Sequence, residues 1–148
     1  ILVGNRPHRG LFVNKGKEYW VSNELSGTVS IIDTKKQTLK KTLKFEVKGI
    51  KNQNITPVDF AYSVEKNIVF VTLGSANHVA VVDSIKHTVN KYILVGSRVW
   101  GAALTFDDKE LIVTNGNSDD ISIINIEKMI TTLSIPVGKT PHSVIISK

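Results

Sequence analysis

The chain has 148 residues, the length of one ordinary domain, and its 41% hydrophobic and 22% charged residues exclude an intrinsically disordered protein. The absence of cysteine excludes disulfide bonds, thiolate metal sites and cysteine nucleophiles. A net charge of +6 makes an acidic partner or a polyanion worth considering. No apolar run approaches the ~20 residues of a transmembrane helix, so no membrane span is expected.

Short apolar runs separated by turn residues predict strands throughout the chain, and no run has the length of an ordinary helix. In chain order, strands named A to D are predicted over 7–13, 19–22, 28–33 and 39–45, then over 58–63, 68–72, 78–83 and 89–95, then over 99–106, 111–114, 120–125 and 130–137. A leading strand over 1–3 and a trailing strand over 141–147 flank these three groups.

The three groups of strands are copies of one repeat. Pro7, Pro57, Val99 and Pro141 fall at equivalent places, with spacings of 50, 42 and 42 residues. The first unit therefore carries an eight-residue insertion, placed within 44–54. The C strands align without gaps. Their apolar residues stand at both even and odd positions of the strand, which predicts strands that are covered on both faces. Each C strand also has one small residue at the same place: Ser30, Ala80 and Ser122.

A period near 42 with four short strands is typical of a β-propeller blade, so we predict an all-β propeller of four-stranded antiparallel blades. Propellers close with about 4–8 blades, so three complete blades form an arc of a larger ring. The predicted organisation is one partial domain over 1–148, with blades at about 5–54, 55–96 and 97–138. The leading strand 1–4 and the trailing strand 139–148 belong to neighbouring blades, which lie further along the protein or in another chain.

The best candidate site lies where strand D passes into strand A. Strand A lines the channel of a propeller, so the junction residues are expected at one channel mouth. There they form a rim of five large side chains: Arg6, His8, Arg98, Trp100 and His142. Aromatic and cationic groups in this arrangement suit a small anionic ligand or an acidic partner protein. The alternative is that they only fill the narrow end of the channel.

Other polar residues favour structural roles. The paired acids at 107–108 and 119–120, as well as Asp33 and Asp83, are interpreted as turn caps, although paired acids also bind Ca²⁺ or perform acid–base chemistry. His78 and His87 are expected in surface loops. His8 and His142 belong to different blades, which disfavours a shared metal ion. No phosphate-binding loop or catalytic triad is visible. We therefore assign no catalytic residue, no metal and no cofactor.

The positive charge is concentrated on the outermost strand of the first unit and its extension. The lysines there are Lys35, Lys36, Lys40, Lys41, Lys44, Lys48 and Lys51. Lysines on an exposed edge strand discourage the addition of another strand, which is the simpler interpretation. A polyanion-binding patch is the alternative, but no aromatic residues alternate with the lysines, so nucleic acid is not the expected partner.

The sequence shows two resemblances to known families, each carried by several short stretches. The sequences IVTN at 112–115 and YWVSN at 19–23 resemble the signature of the YVTN class of β-propeller, from which the second unit departs with VTL at 71–73. The segments 76–83, 94–100 and 114–124 look like the β-propeller proteins associated with pyrroloquinoline-quinone-dependent alcohol catabolism. Trp100 matches a tryptophan of that family, whereas His142 stands where the family usually has another tryptophan.

The second resemblance implies a bacterial, periplasmic or secreted accessory protein without catalytic residues. The expected function is therefore a non-catalytic binding or scaffold module, accessory to a quinoprotein alcohol oxidation system. Two alternatives remain open at this point. One is an enzyme, either a lyase or a redox protein, with its active site at the channel mouth. The other is a repeat module of a cell-surface protein that serves adhesion.

Overall fold

A computed structural model describes residues 1–147, and within them the chain forms three four-stranded antiparallel sheets. The first sheet contains β1 (Pro7–Val13), β2 (Glu18–Asn23), β3 (Thr28–Asp33) and β4 (Thr38–Lys44). The second contains β5 (Phe60–Ser63), β6 (Ile68–Thr72), β7 (His78–Asp83) and β8 (Thr88–Leu94). The third contains β9 (Val99–Leu104), β10 (Glu110–Asn115), β11 (Asp120–Asn125) and β12 (Ile130–Pro136). One short 3₁₀ helix, Asn52–Asn54, lies in the insertion of the first unit.

In each sheet the strands pair in sequence order, so each sheet is one propeller blade. The first strands of the blades lie side by side, because β5 contacts both β1 and β9. The prediction of an all-β propeller arc of about three blades is therefore confirmed. The C strands β3, β7 and β11 have the predicted bounds, whereas several neighbouring strands begin or end one or two residues away from the predicted positions.

The predicted strands at 1–3 and 141–147 are not formed. A strand is held by hydrogen bonds to a neighbouring strand, and these two segments have no such neighbour within residues 1–147. The trailing segment, residues 139–147, is nevertheless fixed beside the third blade through the carbonyl oxygen of His142. The last residue of the predicted trailing strand, Lys148, lies outside the described residues.

Two buried clusters lie between successive blades and hold the arc together. The first joins blades 1 and 2 and includes Trp20, Ile31, Leu73 and Ala80, and the second joins blades 2 and 3 and includes Phe70, Val79, Leu111 and Ile124. Alternate residues of β7 enter opposite clusters, because successive side chains of a strand point to opposite faces. This explains the apolar residues on both parities of the C strands.

The turns that follow the C strands are capped by side chains. The carboxylate of Asp33 accepts hydrogen bonds from the N–H groups of Lys35 and Lys36, and Asp83 repeats this arrangement one blade later. These hydrogen bonds lower the pKa of both carboxyl groups below the ordinary value, although desolvation partly opposes them. The predicted role of Asp33 and Asp83 in these turns is therefore confirmed.

Hydroxyl groups connect each blade to the next. A serine or threonine of strand B accepts a hydrogen bond from an N–H of strand A in its own blade. The same hydroxyl donates to a carbonyl oxygen in the following blade or, for the third blade, in the trailing segment. The three donor–acceptor pairs are Ser22 and Val58 at 2.8 Å, Thr72 and Trp100 at 2.7 Å, and Thr114 and His142 at 3.1 Å. These hydroxyls occupy the same position near the end of strand B in each repeat.

Candidate functional site

The junctions before β1 and β9 are anchored to the turns between strands B and C. The carbonyl oxygen of Arg6 accepts a 3.0 Å hydrogen bond from the N–H of Glu24, and that of Arg98 accepts one of the same length from Gly116. Arg6 and Arg98 have left-handed backbones, with φ of 53° and 58°. Such a conformation is uncommon for residues other than glycine and is held here by the surrounding hydrogen bonds. The rim therefore rests on a fixed backbone.

Trp100 is the centre of the rim. Its ring stacks on His142 with the centroids 4.9 Å apart and an interplanar angle of 28°, and the ring of His8 lies 6.1 Å away. The guanidinium carbon of Arg98 lies 4.9 Å from the centroid of Trp100, within cation–π range. Gly116 allows this position, because a Cβ there would lie 2.8 Å from the indole ring. The structure thus brings four of the five predicted rim residues together, with the indole of Trp100 at the centre and His8, Arg98 and His142 around it.

Arg6 and Arg98 share a buried carboxylate that the sequence did not reveal. Glu24 is 2% exposed, and its two oxygens lie 3.3 Å from Nε of Arg6 and 3.7 Å from a terminal nitrogen of Arg98. Arg98 also donates a 2.7 Å hydrogen bond to the Ser75 hydroxyl. Both arginines were expected to be anchors for an anion. Their charges are instead partly neutralised within the protein, which leaves Arg98 to support Trp100.

A cavity of about 180 Å³ opens at the channel mouth beside the rim. It is bounded by all three blades and by the trailing segment. Its lining residues include His8, Arg9, Asp59, Trp100, His142 and Val144. Three members of the rim therefore face this cavity, whereas Arg6 and Arg98 are not among its lining residues.

Arg9 and Asp59 form an ion pair in the wall of this channel-mouth cavity. Nε of Arg9 lies 3.2 Å from Oδ1 of Asp59, and the side chains are 66% and 17% exposed. Asp59 also accepts hydrogen bonds from the N–H groups of Phe60 and Ala102, so its carboxylate joins all three blades. Sequence alignment overlooked this pair, because Arg9 and Asp59 occupy the same repeat position with opposite charges.

His87 corrects the expectation of a surface residue, since it is only 7% exposed. Its Nε2 lies 3.0 Å from Oε2 of Glu18, which is itself buried between blades 1 and 2. Glu18 also accepts hydrogen bonds from Trp20 and Lys40. Burial raises the pKa of Glu18, but these hydrogen bonds together outweigh burial and hold the pKa below its ordinary value. The turn of blade 2 that carries His87 lies against the first blade, and this contact between blades is not visible in the local sequence.

The paired acids serve as hydrogen-bond acceptors. Asp107 accepts from the Thr105 hydroxyl and from the N–H of Lys109, so its predicted role as a turn cap is confirmed. Asp108 accepts a 2.6 Å hydrogen bond from the Ser63 hydroxyl of the preceding blade. Asp119 accepts from the backbone of Thr140, and Asp120 accepts from the hydroxyls of Ser118 and Ser134. Each carboxylate therefore stabilises a turn or a junction.

Among residues 1–147, no group of three or more histidine, aspartate or glutamate side chains is arranged to hold a metal ion. His78 has its Nδ1 2.6 Å from the Ala76 carbonyl oxygen of its own turn. Within the same residues, no helix has the length and apolar character needed to cross a membrane.

The lysine-rich strand β4 lies at the outer edge of its sheet and pairs only with β3. Two of its lysines also contribute to the interface with blade 2. Lys40 donates to Glu18 at 2.6 Å, and Lys41 donates to the carbonyl oxygen of His87 at 2.9 Å. Lys40 and Lys41 therefore have structural roles, and protection of the exposed edge by the lysines of β4 stays a prediction.

Comparison with solved structures supports the same fold. Hydrazine synthase from Kuenenia stuttgartiensis superposes with a TM-score of 0.81 at 19% identity, over 97% of this chain and 40% of that one. A functionally unknown protein from Desulfotomaculum acetoxidans DSM 771 gives a TM-score of 0.74 at 14% identity, over 93% and 44% of the two chains. The WD40 β-propeller domain of Doa1 gives 0.72 at 13% identity, over 90% and 42%.

These likenesses define the class of protein as a β-propeller. The chain spans less than half the length of each of these structures. The sequence itself matches no protein-family model and no curated protein.

Proposed function

We propose that this chain is part of a larger β-propeller that binds a partner protein or a small anionic ligand at its channel mouth and performs no catalysis. One observation carries the proposal: Trp100 lies against His142, His8 and Arg98, which come from different blades and from the trailing segment. A site assembled from β1, β9, the junction before β9 and the trailing segment contacts its ligand on several sides. Because the strands are rigid, little conformational entropy is lost on binding.

The electrostatics of the mouth favour a negatively charged partner. Three arginines, Arg6, Arg9 and Arg98, are paired with two carboxylates, Glu24 and Asp59, which leaves one net positive charge (3 − 2 = +1). The two rim histidines, His8 and His142, add imidazole N–H donors. A net cationic mouth with an aromatic centre attracts an anion and stacks on its apolar part.

The experiment uses the two tryptophans of the chain as separate reporters. Trp20 is fully buried and its indole N–H donates to Glu18, whereas Trp100 borders the cavity. In a ¹H–¹⁵N correlation spectrum, a ligand or partner bound at the mouth should shift the indole signal of Trp100 and leave that of Trp20 in place. We expect Trp100→Ala to weaken binding by about 2 kcal/mol, because buried tryptophans dominate binding hot spots.

The controls are substitutions on the outer edge strand. Lys44 and Lys48 are better choices than Lys40 and Lys41, which hold the interface between blades 1 and 2. Lys44→Gln and Lys48→Gln should bind normally. Loss of binding in these two variants, with normal binding by Trp100→Ala, would place the site on the lysine edge and overturn the proposal.

We further propose a periplasmic or secreted location and an accessory role in quinoprotein alcohol oxidation. The support is the resemblance of the segments 76–83, 94–100 and 114–124 to propellers of that context. Two measurements test these points separately. Fractionation of the source cells should recover the protein outside the cytoplasm, and deletion of its coding sequence should slow growth on a simple alcohol but not on a sugar. Cytoplasmic recovery or unimpaired growth on alcohol would contradict the corresponding proposal.

A further inference from the structure

The cavity that the three blades and the trailing segment form is small. Its volume of about 180 Å³ is below the ~300–1,000 Å³ of pockets for drug-sized ligands. It is close to the ~150 Å³ of an apolar cavity that accommodates benzene. The cavity therefore matches a single ring with a small substituent.

The walls of the cavity favour a ligand that is flat and largely apolar. Val58, Val144 and Ile145 supply aliphatic surface, and the stacked pair of Trp100 and His142 supplies aromatic surface. Aromatic rings pair favourably in offset or tilted arrangements at centroid distances of about 4.5–7 Å. A ligand ring can join the existing pair in this manner.

One arginine, Arg9, lines the same cavity, and the geometry of its guanidinium group suits a carboxylate. Asp59 fixes Arg9 through Nε, while backbone N–H groups of Phe60 and Ala102 hold Asp59 in place. A guanidinium has five N–H donors in a planar fork, more than this contact through Nε requires. The side chain of Arg9 is 66% exposed, so it remains accessible to a second carboxylate.

We infer that the channel-mouth cavity takes a small aromatic monocarboxylate, with the carboxylate on Arg9 and the ring against Trp100 and His142. The inference rests on the proposed binding function of the mouth and specifies its ligand class. The carboxylate of the ligand is assigned to Arg9, which lies in β1 two residues after the aligned Pro7. Arg6 and Arg98 then act as supports through Glu24.

Benzoate is the probe, with benzamide and cyclohexanecarboxylate as matched compounds that lack the charge or the aromatic ring. Benzoate should shift the indole signal of Trp100 and leave that of Trp20 unchanged. Benzamide should bind about tenfold more weakly, because a charge-assisted hydrogen bond is replaced by a neutral one. Cyclohexanecarboxylate should bind several-fold more weakly, since aromatic pairing contributes beyond burial of area.

Variants of Arg9 complete the test. Arg9→Gln should weaken benzoate binding about tenfold, and Arg9→Lys should lose less, because lysine keeps the charge but not the planar fork. Lys91→Gln is the charge-matched control on the outer strand β8 and should bind normally. The dispersion of each spectrum shows whether the variant is folded, so a loss of binding is not mistaken for unfolding.

The outcomes separate this inference from the proposed function. Equal affinity for benzoate and benzamide, or normal binding by folded Arg9→Gln, overturns the carboxylate assignment. If benzoate leaves Trp100 unmoved while another compound or a partner protein shifts it, the ligand class is wrong and the binding function stands. If benzoate binds Trp100→Ala and Arg9→Gln as tightly as it binds the unsubstituted protein, followed through backbone amide signals because Trp100→Ala lacks the reporter indole, benzoate binds outside the mouth and the inference is overturned. The proposed function is overturned when a ligand or partner found for the unsubstituted protein also binds Trp100→Ala normally.

Discussion

The hydroxyl of Thr72 in the second blade donates a hydrogen bond of 2.7 Å to the carbonyl oxygen of Trp100 at the start of the third. The same hydroxyl accepts a 2.9 Å hydrogen bond from the N–H of Asp59. One buried side chain thus connects strand B of its own blade to two residues that border the channel-mouth cavity. The threonine or serine near the end of strand B is therefore a connector between blades, and in blade 2 it contacts two residues that border the channel-mouth cavity.

Replacing Thr72 by valine keeps the shape and removes both hydrogen bonds. Because the N–H of Asp59 and the carbonyl of Trp100 lose a buried partner, we expect Thr72→Val to lower the free energy of unfolding by about 1–3 kcal/mol. Urea denaturation measures the change. Thr38→Val, an exposed substitution on β4, is the control and should be nearly neutral. Equal midpoints for the two variants would show that the connector contributes nothing to stability.

The second blade replaces a polar pair of its neighbours by an apolar pair. Nδ2 of Asn115 donates a 2.9 Å hydrogen bond to the Ser122 hydroxyl, and Asn23 does the same to Ser30. The equivalent residues of blade 2 are Leu73 and Ala80, both fully buried. The small residue of strand C therefore has two uses: it accepts the asparagine amide in blades 1 and 3, and it makes room for leucine in blade 2.

Exchanging the pair in blade 3 tests whether its two residues act as a unit. Asn115→Leu and Ser122→Ala should each be destabilising, because each removes the buried 2.9 Å hydrogen bond between these two side chains. The double variant reproduces the apolar pair of blade 2. We expect it to be more stable than the sum of the two single changes predicts, by about 1 kcal/mol. Strict additivity of the three unfolding free energies would refute the coupling.

The repeat itself explains which features could be predicted. The gapless alignment gave the bounds of the C strands β3, β7 and β11, since each of these strands packs against a neighbouring blade on at least one face. Alignment also placed His8, Trp100 and His142 on one rim, because the start of strand A has the same position in every unit.

The contacts that were missed join positions that the repeat does not equate. Glu24 pairs with Arg98 across the mouth, Arg9 pairs with Asp59 in the next blade, and His87 reaches Glu18 in the preceding one. These contacts depend on side-chain lengths and on how closely the blades approach one another. Neither quantity is encoded in the period of the apolar pattern.

Ala80 tests the stacking of blades 1 and 2 directly. It is fully buried within the first cluster, opposite Val71 and Tyr92 in the sheet register. We expect Ala80→Leu to lower the unfolding free energy by about 1–3 kcal/mol, because added methylene groups overpack a filled interface. Ala103→Leu on β9, a partly exposed position outside both clusters, is the matched control. An unchanged melting temperature for Ala80→Leu would contradict the tight packing of these sheets.

The buried Glu18 makes the interface between blades 1 and 2 sensitive to acid. Burial raises the pKa of its carboxyl group, but hydrogen bonds from Lys40, Trp20 and His87 outweigh burial and hold the pKa below the ordinary value of 4.5. A carboxyl group whose pKa is lower in the folded than in the unfolded state adds stability above pH 4.5 and loses that contribution as the pH falls through the folded pKa. The Glu18→Gln variant has no carboxyl group at this position, so it has no such contribution to lose.

The difference in unfolding free energy between the unsubstituted protein and Glu18→Gln should therefore be largest at neutral pH and should shrink as the pH falls below 4.5. Urea denaturation over a series of pH values measures this difference. Glu65→Gln is the control, because Glu65 is an exposed residue of the turn after β5. Its difference from the unsubstituted protein should stay small at every pH. The Lys40 ammonium and the His87 imidazole both contact the Glu18 carboxylate. If the difference for Glu18→Gln stayed constant across this pH range, these contacts would stabilise the protonated and the ionised carboxyl group of Glu18 equally. That result would exclude Glu18 as the acid-sensitive group of the interface.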